Sequence, residues 1–321
     1  MALIFALFVA CLAERAAAAM PTTRPIAAIQ RVMIISVDGL RPDLLYFADT
    51  PNLHQLCRRG SFTLWAKTTP ASVTLPSHVS MLTGVSPEGH AIMWNGDLPL
   101  KEPVYPAVPT IFDLAHHAGY TTAMVAGKRK FSVLDVPGSL DWKWIAAGAT
   151  SEDGDVNHAA EAIIRSHQPQ LMMVHFPSVD NVGHAHDWGS DEQLAAISQV
   201  DRYIGQLIAL LAELKLEDQT LVIITADHGG AGRTHGADDP RSRTIPWIVA
   251  GPGVRQNFDL TRLGREYNVE IYDTFATTAA VLGIPVSGHI DGKFISAAFE
   301  NQELLISTYR PSMQPATQPA E

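Results

Sequence analysis

Three apolar runs in this chain end on residue types that bind metal ions. Residues 32–37 stop at Asp38, residues 171–174 lead on to Asp180-Asn-Val-Gly-His184, and residues 221–225 stop at Asp227-His228, with His235-Gly236 shortly after. Carboxylate oxygens mixed with imidazole nitrogens suit Zn²⁺ or a similar divalent ion, and the lack of Cys at these places argues against a thiolate structural site. Three Asp and three His are enough for two such sites. A single Asp after a strand more often caps a helix or forms a turn, but six ligand types gathered at strand ends are hard to explain as caps.

A nucleophile is also available. In Thr74-Leu75-Pro76-Ser77-His78 the proline marks a first helical turn, which puts Thr74 at a helix N-terminus. Taken alone, Thr74 reads as an N-cap. Against a dication its hydroxyl could ionise near neutral pH, as metal-bound water does when its pKa falls to about 7. The helix N-terminus would also favour an anionic substrate.

The elements that must position these groups follow from periodicity. Residues 32–37, 121–125, 171–174, 221–225 and 245–250 are short apolar runs of the kind that form fully buried parallel strands. Helical spacing of apolar residues marks 110–118, 157–166, 191–214 and 269–282, two of them closed by Gly119 and Gly283. Strands alternating with helices predict an α/β fold, a doubly wound and mostly parallel central sheet with helices on both faces. In such sheets ligands bind beyond the carboxyl ends of the strands, where the Asp and His residues stand.

The chain has 321 residues, 46% hydrophobic and 17% charged, which excludes a disordered chain or a disulfide scaffold. Twenty-three Lys and Arg against 33 Asp and Glu give a net charge of -10, so no nucleic-acid duplex is expected as partner. Residues 1–19 combine a short apolar run with a small-residue stretch, as a secretory signal does, and predict export to a bacterial periplasm or the extracellular space. Phe8-Val9-Ala10-Cys11 resembles a lipobox and would make Cys11 a lipid anchor, with plain secretion the preferred reading. Residues 20–30 read as a lead-in, 31–307 as one domain and 308–321 as a disordered tail, and no membrane span is expected in the mature chain.

Taken in order, Val37-Asp38-Gly39, Thr74-Leu-Pro-Ser-His78, Thr83-Gly84, Pro87-Glu88-Gly89-His90, Asp180-Asn-Val-Gly-His184, Thr225-Ala-Asp227-His228-Gly229 and His235-Gly236-Ala-Asp238 resemble the alkaline phosphatase superfamily, most closely its type I phosphodiesterase/nucleotide pyrophosphatase branch. The resemblance implies two zinc ions, one held by Asp38, Asp227 and His228 beside Thr74, the other by Asp180, His184 and His235. It implies that Thr74 attacks phosphorus to form a phosphothreonine, that water activated at the second zinc cleaves it, and that the Asn95 amide donates to a phosphoryl oxygen. Read without the resemblance, Asn95 is a turn residue before Gly96-Asp97.

Related folds offer competing readings. Sulfatases of this superfamily generate their nucleophile from Cys or Ser followed by Pro and Arg, whereas Thr74, Pro76 and His78 stand here, so sulfate ester cleavage is disfavoured. Only Gly229 to Thr234 separate the Asp-His-Gly and His-Gly motifs, where animal nucleotide pyrophosphatases carry a long segment that shapes the nucleoside pocket. Lys128 and Lys130 match the Lys-x-Lys with which phosphomonoesterases and phosphonoacetate hydrolases grip a dianion, so a monoester or phosphonate is the alternative substrate; an exposed basic loop is the ordinary reading. A non-catalytic exported anion-binding protein is the non-enzyme alternative. Among other candidates, His78 reads as packed against strands and His175, His186 and His289 as surface or supporting residues, with His186 near enough to orient His184. Trp94, Trp188 and Phe176 could line a pocket or belong to the core.

Overall fold

A computed structural model describes residues 24–97, 103–236, 239–264, 267–303 and 305. The expected leader, Cys11 and the tail from 308 lie outside these residues. Eight strands form one sheet: β1 (Arg31–Val37), β2 (Ser61–Lys67), β3 (Thr122–Ala126), β4 (Trp142–Ile145), β5 (Leu171–Phe176), β6 (Thr220–Thr225), β7 (Thr244–Ala250) and β8 (Phe258–Asp259). Their order is β4-β3-β5-β1-β6-β7-β2-β8, and every neighbouring pair is parallel except the two that involve β7. The α/β, mostly parallel fold read from periodicity is the one present.

The central strands are buried on both faces, as their unbroken apolar sequences require: every residue of β3, β5, β6 and β7 is buried. Two sets of helices cover them. Pro51–Arg59, Asp153–His167, Ser178–His186 and Asp191–Glu213 pack on one another, and Thr74–Thr83, Ile111–His117 and Asp273–Leu282 form the second set. Asp191–Glu213 buries Ile197, Val200, Ile204, Leu207 and Leu211 at helical spacing, while the Ser190 side chain accepts from the Gln193 N–H to cap its start. One contiguous apolar core runs from Ile29 to Leu305.

The sequence reading departs from the structure at edges and at β7, which was read with the parallel strands but runs antiparallel to both its neighbours. Strand β2 was not expected: Ser61 and Thr63 face inward whereas Phe62 and Leu64 are only half-buried and Trp65 is exposed, so its alternation is inverted relative to hydrophobicity. The helix expected from residue 269 starts at Asp273. Backbone bonds from Lys67 N–H to the Val269 carbonyl (2.9 Å) and from Ile271 N–H to the Lys67 carbonyl (2.8 Å) hold 269–271 extended against the end of β2.

Candidate active site

Strands β5, β1 and β6 are adjacent at the centre of the sheet, and their carboxyl ends deliver the acidic groups. Asp38 follows β1, Asp227 and His228 follow β6, and Asp180 sits in the first turn of the helix Ser178–His186 just beyond β5. Gly39 makes the close approach feasible. Its φ is +75°, its N–H donates to Asp227 Oδ1 at 3.1 Å, and a Cβ there would lie 3.0 Å from the Asp180 Cα.

Each expected imidazole ligand is oriented by a backbone carbonyl. His184 Nδ1 donates to the Arg233 carbonyl (2.9 Å), His228 Nδ1 to the Gly229 carbonyl (2.8 Å) and His235 Nδ1 to the Ser72 carbonyl (2.8 Å), which leaves each Nε2 as the free lone pair. Those Nε2 atoms face carboxylate oxygens. His228 lies 3.4 Å from Asp38 Oδ1 and 3.2 Å from Asp227 Oδ2; Asp180 Oδ1 lies 3.3 Å from His184 and 3.6 Å from His235. Donors about 2.1 Å from a tetrahedral ion stand about 3.4 Å apart, so these separations are those of ligands sharing an ion. Asp38 Oδ1, Asp180 Oδ1 and Asp227 Oδ2 are also buried without any hydrogen-bond partner, a costly state unless a cation takes their lone pairs.

The residues therefore fit two divalent ions. One group is Asp38, Asp227 and His228, as the sequence resemblance implied. In the other, Asp180 and His235 converge with His228 as well, whose Nε2 is 3.9 Å from Asp180 Oδ1, while His184 approaches the same oxygen from the more open side. His228 thus stands between the two groups, its ring stacked on His235 with centroids 3.7 Å apart.

Thr74 is the first residue of the helix Thr74–Thr83, and Val73 holds the cap position, so the threonine is not the cap. Its hydroxyl makes no capping bond. Oγ1 instead lies 3.4 Å from His228 Nε2, with the residue 1% exposed. Nothing in the sequence announced the device behind this placement. Ser72 adopts φ +47°, a region most side chains avoid, which turns its carbonyl to His235 and starts the helix two residues later.

Asn95 meets the same helix start. Its Oδ1 accepts from the Leu75 N–H (2.9 Å) and from Lys130 Nζ (3.0 Å), an arrangement that assigns Oδ1 by its donors and leaves the amide Nδ2 free to donate. Asn95 is therefore tied to the start of this helix, besides preceding the bend at Gly96. Lys130 Nζ also reaches the Asn95 carbonyl at 3.3 Å, and burial followed by the Lys128 charge lowers its pKa from the usual lysine value. Lys128, by contrast, is fully engaged, with Nζ 2.7 Å from Asp38 Oδ2 and 2.6 Å from Asp180 Oδ2.

These contacts divide the acids electrostatically. Burial alone would raise all three carboxyl pKa values, but Lys128 and the His175 hydrogen bond hold Asp38 well below the usual range, and Lys128 with His184 lowers Asp180 despite the Asp38 charge. Asp227 has no cation in contact, and burial together with the Asp38 charge pushes it well above that range. Burial keeps His228 neutral, its pKa down to about 4, and lowers His235, whereas the adjacent Asp180 carboxylate raises His184.

Several weaker candidates are corrected. His175 is fully buried, and its Nε2 donates to Asp38 Oδ2 at 2.9 Å while the Gly127 N–H faces Nδ1. His78 is buried as expected, yet it also bonds the site: Ser36 Oγ lies 2.7 Å from its Nε2 and the Thr74 carbonyl 2.8 Å from its Nδ1. His186 does not orient His184; it lies 3.8 Å from Glu192, and Arg233 performs that task. His289 is exposed beside Asp291. Phe176 is core, stacked on Tyr203, and Trp94 is half-buried against the core. Trp188 donates Nε1–H to the Gly39 carbonyl and sets its ring edgewise to His184 and His235.

Comparison with known proteins agrees with this fold. Residues 32–238 match the family model of the type I phosphodiesterase / nucleotide pyrophosphatase family. An uncharacterized pyrophosphatase/phosphodiesterase of Schizosaccharomyces pombe is 28% identical over 218 residues, 62% of this chain and 44% of that protein. Human ectonucleotide pyrophosphatase/phosphodiesterase family member 7 is 27% identical over 219 residues, covering 62% and 47%. The chain thus spans about half the length of these curated relatives. Among solved structures, human ectonucleotide pyrophosphatase/phosphodiesterase 5 shares the fold with a TM-score of 0.70 at 17% identity, over 85% of this chain and 100% of that one. A 2-O GAG sulfatase shares it with a TM-score of 0.69 at 16% identity, over 84% and 74%.

Proposed function

The chain belongs to the type I phosphodiesterase/nucleotide pyrophosphatase family, and from that premise we propose that it is a metal-dependent phosphoesterase cleaving phosphodiester or nucleotide pyrophosphate bonds through a phosphothreonine on Thr74. The observation that carries this reading is the set of three imidazole Nε2 atoms and three partnerless buried carboxylate oxygens gathered beside the Thr74 hydroxyl. Two divalent ions, Zn²⁺ by the chemistry of the donors, would be held by Asp38, Asp227 and His228 and by Asp180, His184 and His235, and when bound would stabilise charge on the attacking and leaving oxygens.

The chain's own groups do the rest. Thr74 Oγ1 bonds to phosphorus as the bond to the leaving oxygen breaks, its proton passing in net terms to that oxygen; water then attacks the same phosphorus, the Oγ1–P bond breaks, and a water proton returns to Oγ1. Asn95 Nδ2 would donate to a phosphoryl oxygen, and the N-terminus of the ten-residue helix would favour the negative charge. A murine relative of the same fold was determined as an inactive threonine-to-alanine form in complex with AMP, which supports a nucleotide-like ligand for this branch. The apolar leader supports export, to a periplasm or outside the cell.

A second reading takes a phosphate monoester or phosphonate dianion. It is favoured by Lys130, whose ammonium among the described residues hydrogen-bonds only the neutral Asn95 oxygens and so carries charge available to a substrate. Lys128 would add to the positive field from beneath. A chromogenic diester, a chromogenic monoester and phosphonoacetate, assayed on the chelator-treated protein before and after Zn²⁺ addition, separate the readings. Hydrolysis should require Zn²⁺, be fastest for the diester, and vanish in Thr74→Ala while that variant still binds metal. Undiminished turnover in Thr74→Ala would overturn the covalent route, and absence of turnover on all three substrates with metal bound would favour an anion-binding protein.

A further inference from the structure

Lys128 matches a substrate-gripping motif by spacing, but its surroundings give it a different task. It follows β3 in extended conformation, and its side chain is 7% exposed. Two of its three ammonium donors lie on carboxylates, Asp38 Oδ2 and Asp180 Oδ2, and these belong to different metal groups. In both residues the other oxygen, Oδ1, is the partnerless one that faces the imidazole Nε2 atoms. His175 adds a second donor to Asp38 Oδ2, so that oxygen is doubly occupied while Oδ1 stays open. Turning Lys128 toward a substrate would strip Asp180 Oδ2 of its ion pair in a buried setting, which is costly.

We infer that Lys128 is a positioning residue that joins the two metal groups: its ammonium holds the outer oxygen of one carboxylate from each, so that both present a single inner oxygen to the ions. The inference rests on the two-ion reading of the site. It also separates the two lysines, since Lys130, on Asn95, is left as the cation that can meet substrate. Because one side chain braces both groups, its loss should be felt at both. A substrate-binding lysine would leave metal binding untouched.

Calorimetric titration of the chelator-treated full chain with Zn²⁺ tests this, together with visible absorption of the Co²⁺-loaded protein. Partners that orient metal ligands typically contribute about 10- to 100-fold to affinity. Lys128→Met should therefore weaken Zn²⁺ binding at both sites by a factor in that range and alter the Co²⁺ bands, while Lys130→Met leaves both unchanged. Unaltered or tighter Zn²⁺ binding at either site in Lys128→Met, or an unchanged Co²⁺ spectrum, would overturn the inference. Circular dichroism reports whether the variant folds. Should it not, Lys128→Gln, which keeps a donor without the charge, must still weaken Zn²⁺ binding, and wild-type affinity at both sites would equally refute the role. If the wild-type chain itself takes up no Zn²⁺, the reading of the site fails rather than the assignment of Lys128.

Discussion

Replacing Asn95 distinguishes a residue that donates to the reacting phosphoryl group from one that merely braces the helix beginning at Thr74. Its Oδ1 is committed to the Leu75 N–H at 2.9 Å and to Lys130 at 3.0 Å, so only Nδ2 can serve substrate. Deleting a preorganised donor of this kind costs about 10²–10³ in kcat, or about 2.7–4 kcal/mol. Asn95→Ala also frees the Leu75 N–H and Lys130, but Asn95 is only half-buried and water can replace its oxygen, so that loss should add no more than about 1 kcal/mol. Asn95→Asp is the informative partner, because a carboxylate keeps both acceptor bonds and the shape while losing the donor. Both variants should fall by about 10²–10³ in kcat on a chromogenic diester, measured in the Zn²⁺-loaded state. An Asn95→Asp enzyme within about threefold of wild type, beside a crippled Asn95→Ala, would show that the residue acts by bracing and that the donor argument is wrong.

Two further substitutions probe the supports of the site. Gly230→Ala would put a Cβ 2.3 Å from the ring of Trp188, which is buried, fixed by its bond to Gly39 and set edgewise to His184 and His235; overpacking should cost about 1–3 kcal/mol in denaturant unfolding and weaken Zn²⁺ binding, and a neutral outcome would mean that Trp188 is free to move. Asp153, whose Oδ1 accepts from the Ser178 N–H at 3.1 Å, has its pKa raised by burial to about 6. Its protonated form favours the fold below the ordinary carboxylate pKa of about 3.9, and that advantage disappears as pH rises through about 6. A shift of about two units is worth about 3 kcal/mol, so Asp153→Asn should raise thermal stability at pH 8 and have little effect at pH 4; an equal gain at both would refute the assignment.

Legibility in the sequence followed the strength of local signals. The five central strands were readable because each is an apolar run buried on both faces, and Asp38, Asp227 and His228 could be found because they abut such runs. The edge strands β4 and β8 carry no such pattern, as Trp142–Ile145 is only half-buried at best and Phe258–Asp259 is two residues long. The site histidines were legible as residue types, but their tautomers were not. Those depend on the Arg233, Gly229 and Ser72 carbonyls, backbone atoms whose positions no residue identity encodes. The sequence likewise left His175 among surface or supporting residues, because a histidine at a strand end looks the same whether or not an aspartate just beyond the neighbouring strand accepts from it.

Sheet topology explains why so many distant residues meet at one edge. Asp38 and Asp227 follow β1 and β6, which pair in register from Arg31 opposite Thr220 to Ser36 opposite Thr225, so the two acids emerge one strand spacing apart. Because β7 runs against β6, residues 226–243 need not cross the sheet. The described part of this connection remains at the carboxyl edge and can supply Asp227 and His228 at its start and His235 within the same loop. Strand β2 runs against β7 in turn, so its own end also points to this edge: Thr68 Oγ1 donates to the Asp227 carbonyl, and the chain proceeds through Ser72 to Thr74. A β7 parallel to its neighbours would have demanded a crossover through the helical layer and carried His235 away from the acids it faces. The single reversed strand is thus the feature by which a parallel sheet, otherwise able to offer side chains from separate crossovers only, brings the helix that starts at Thr74 and the His235 imidazole to the same few ångströms.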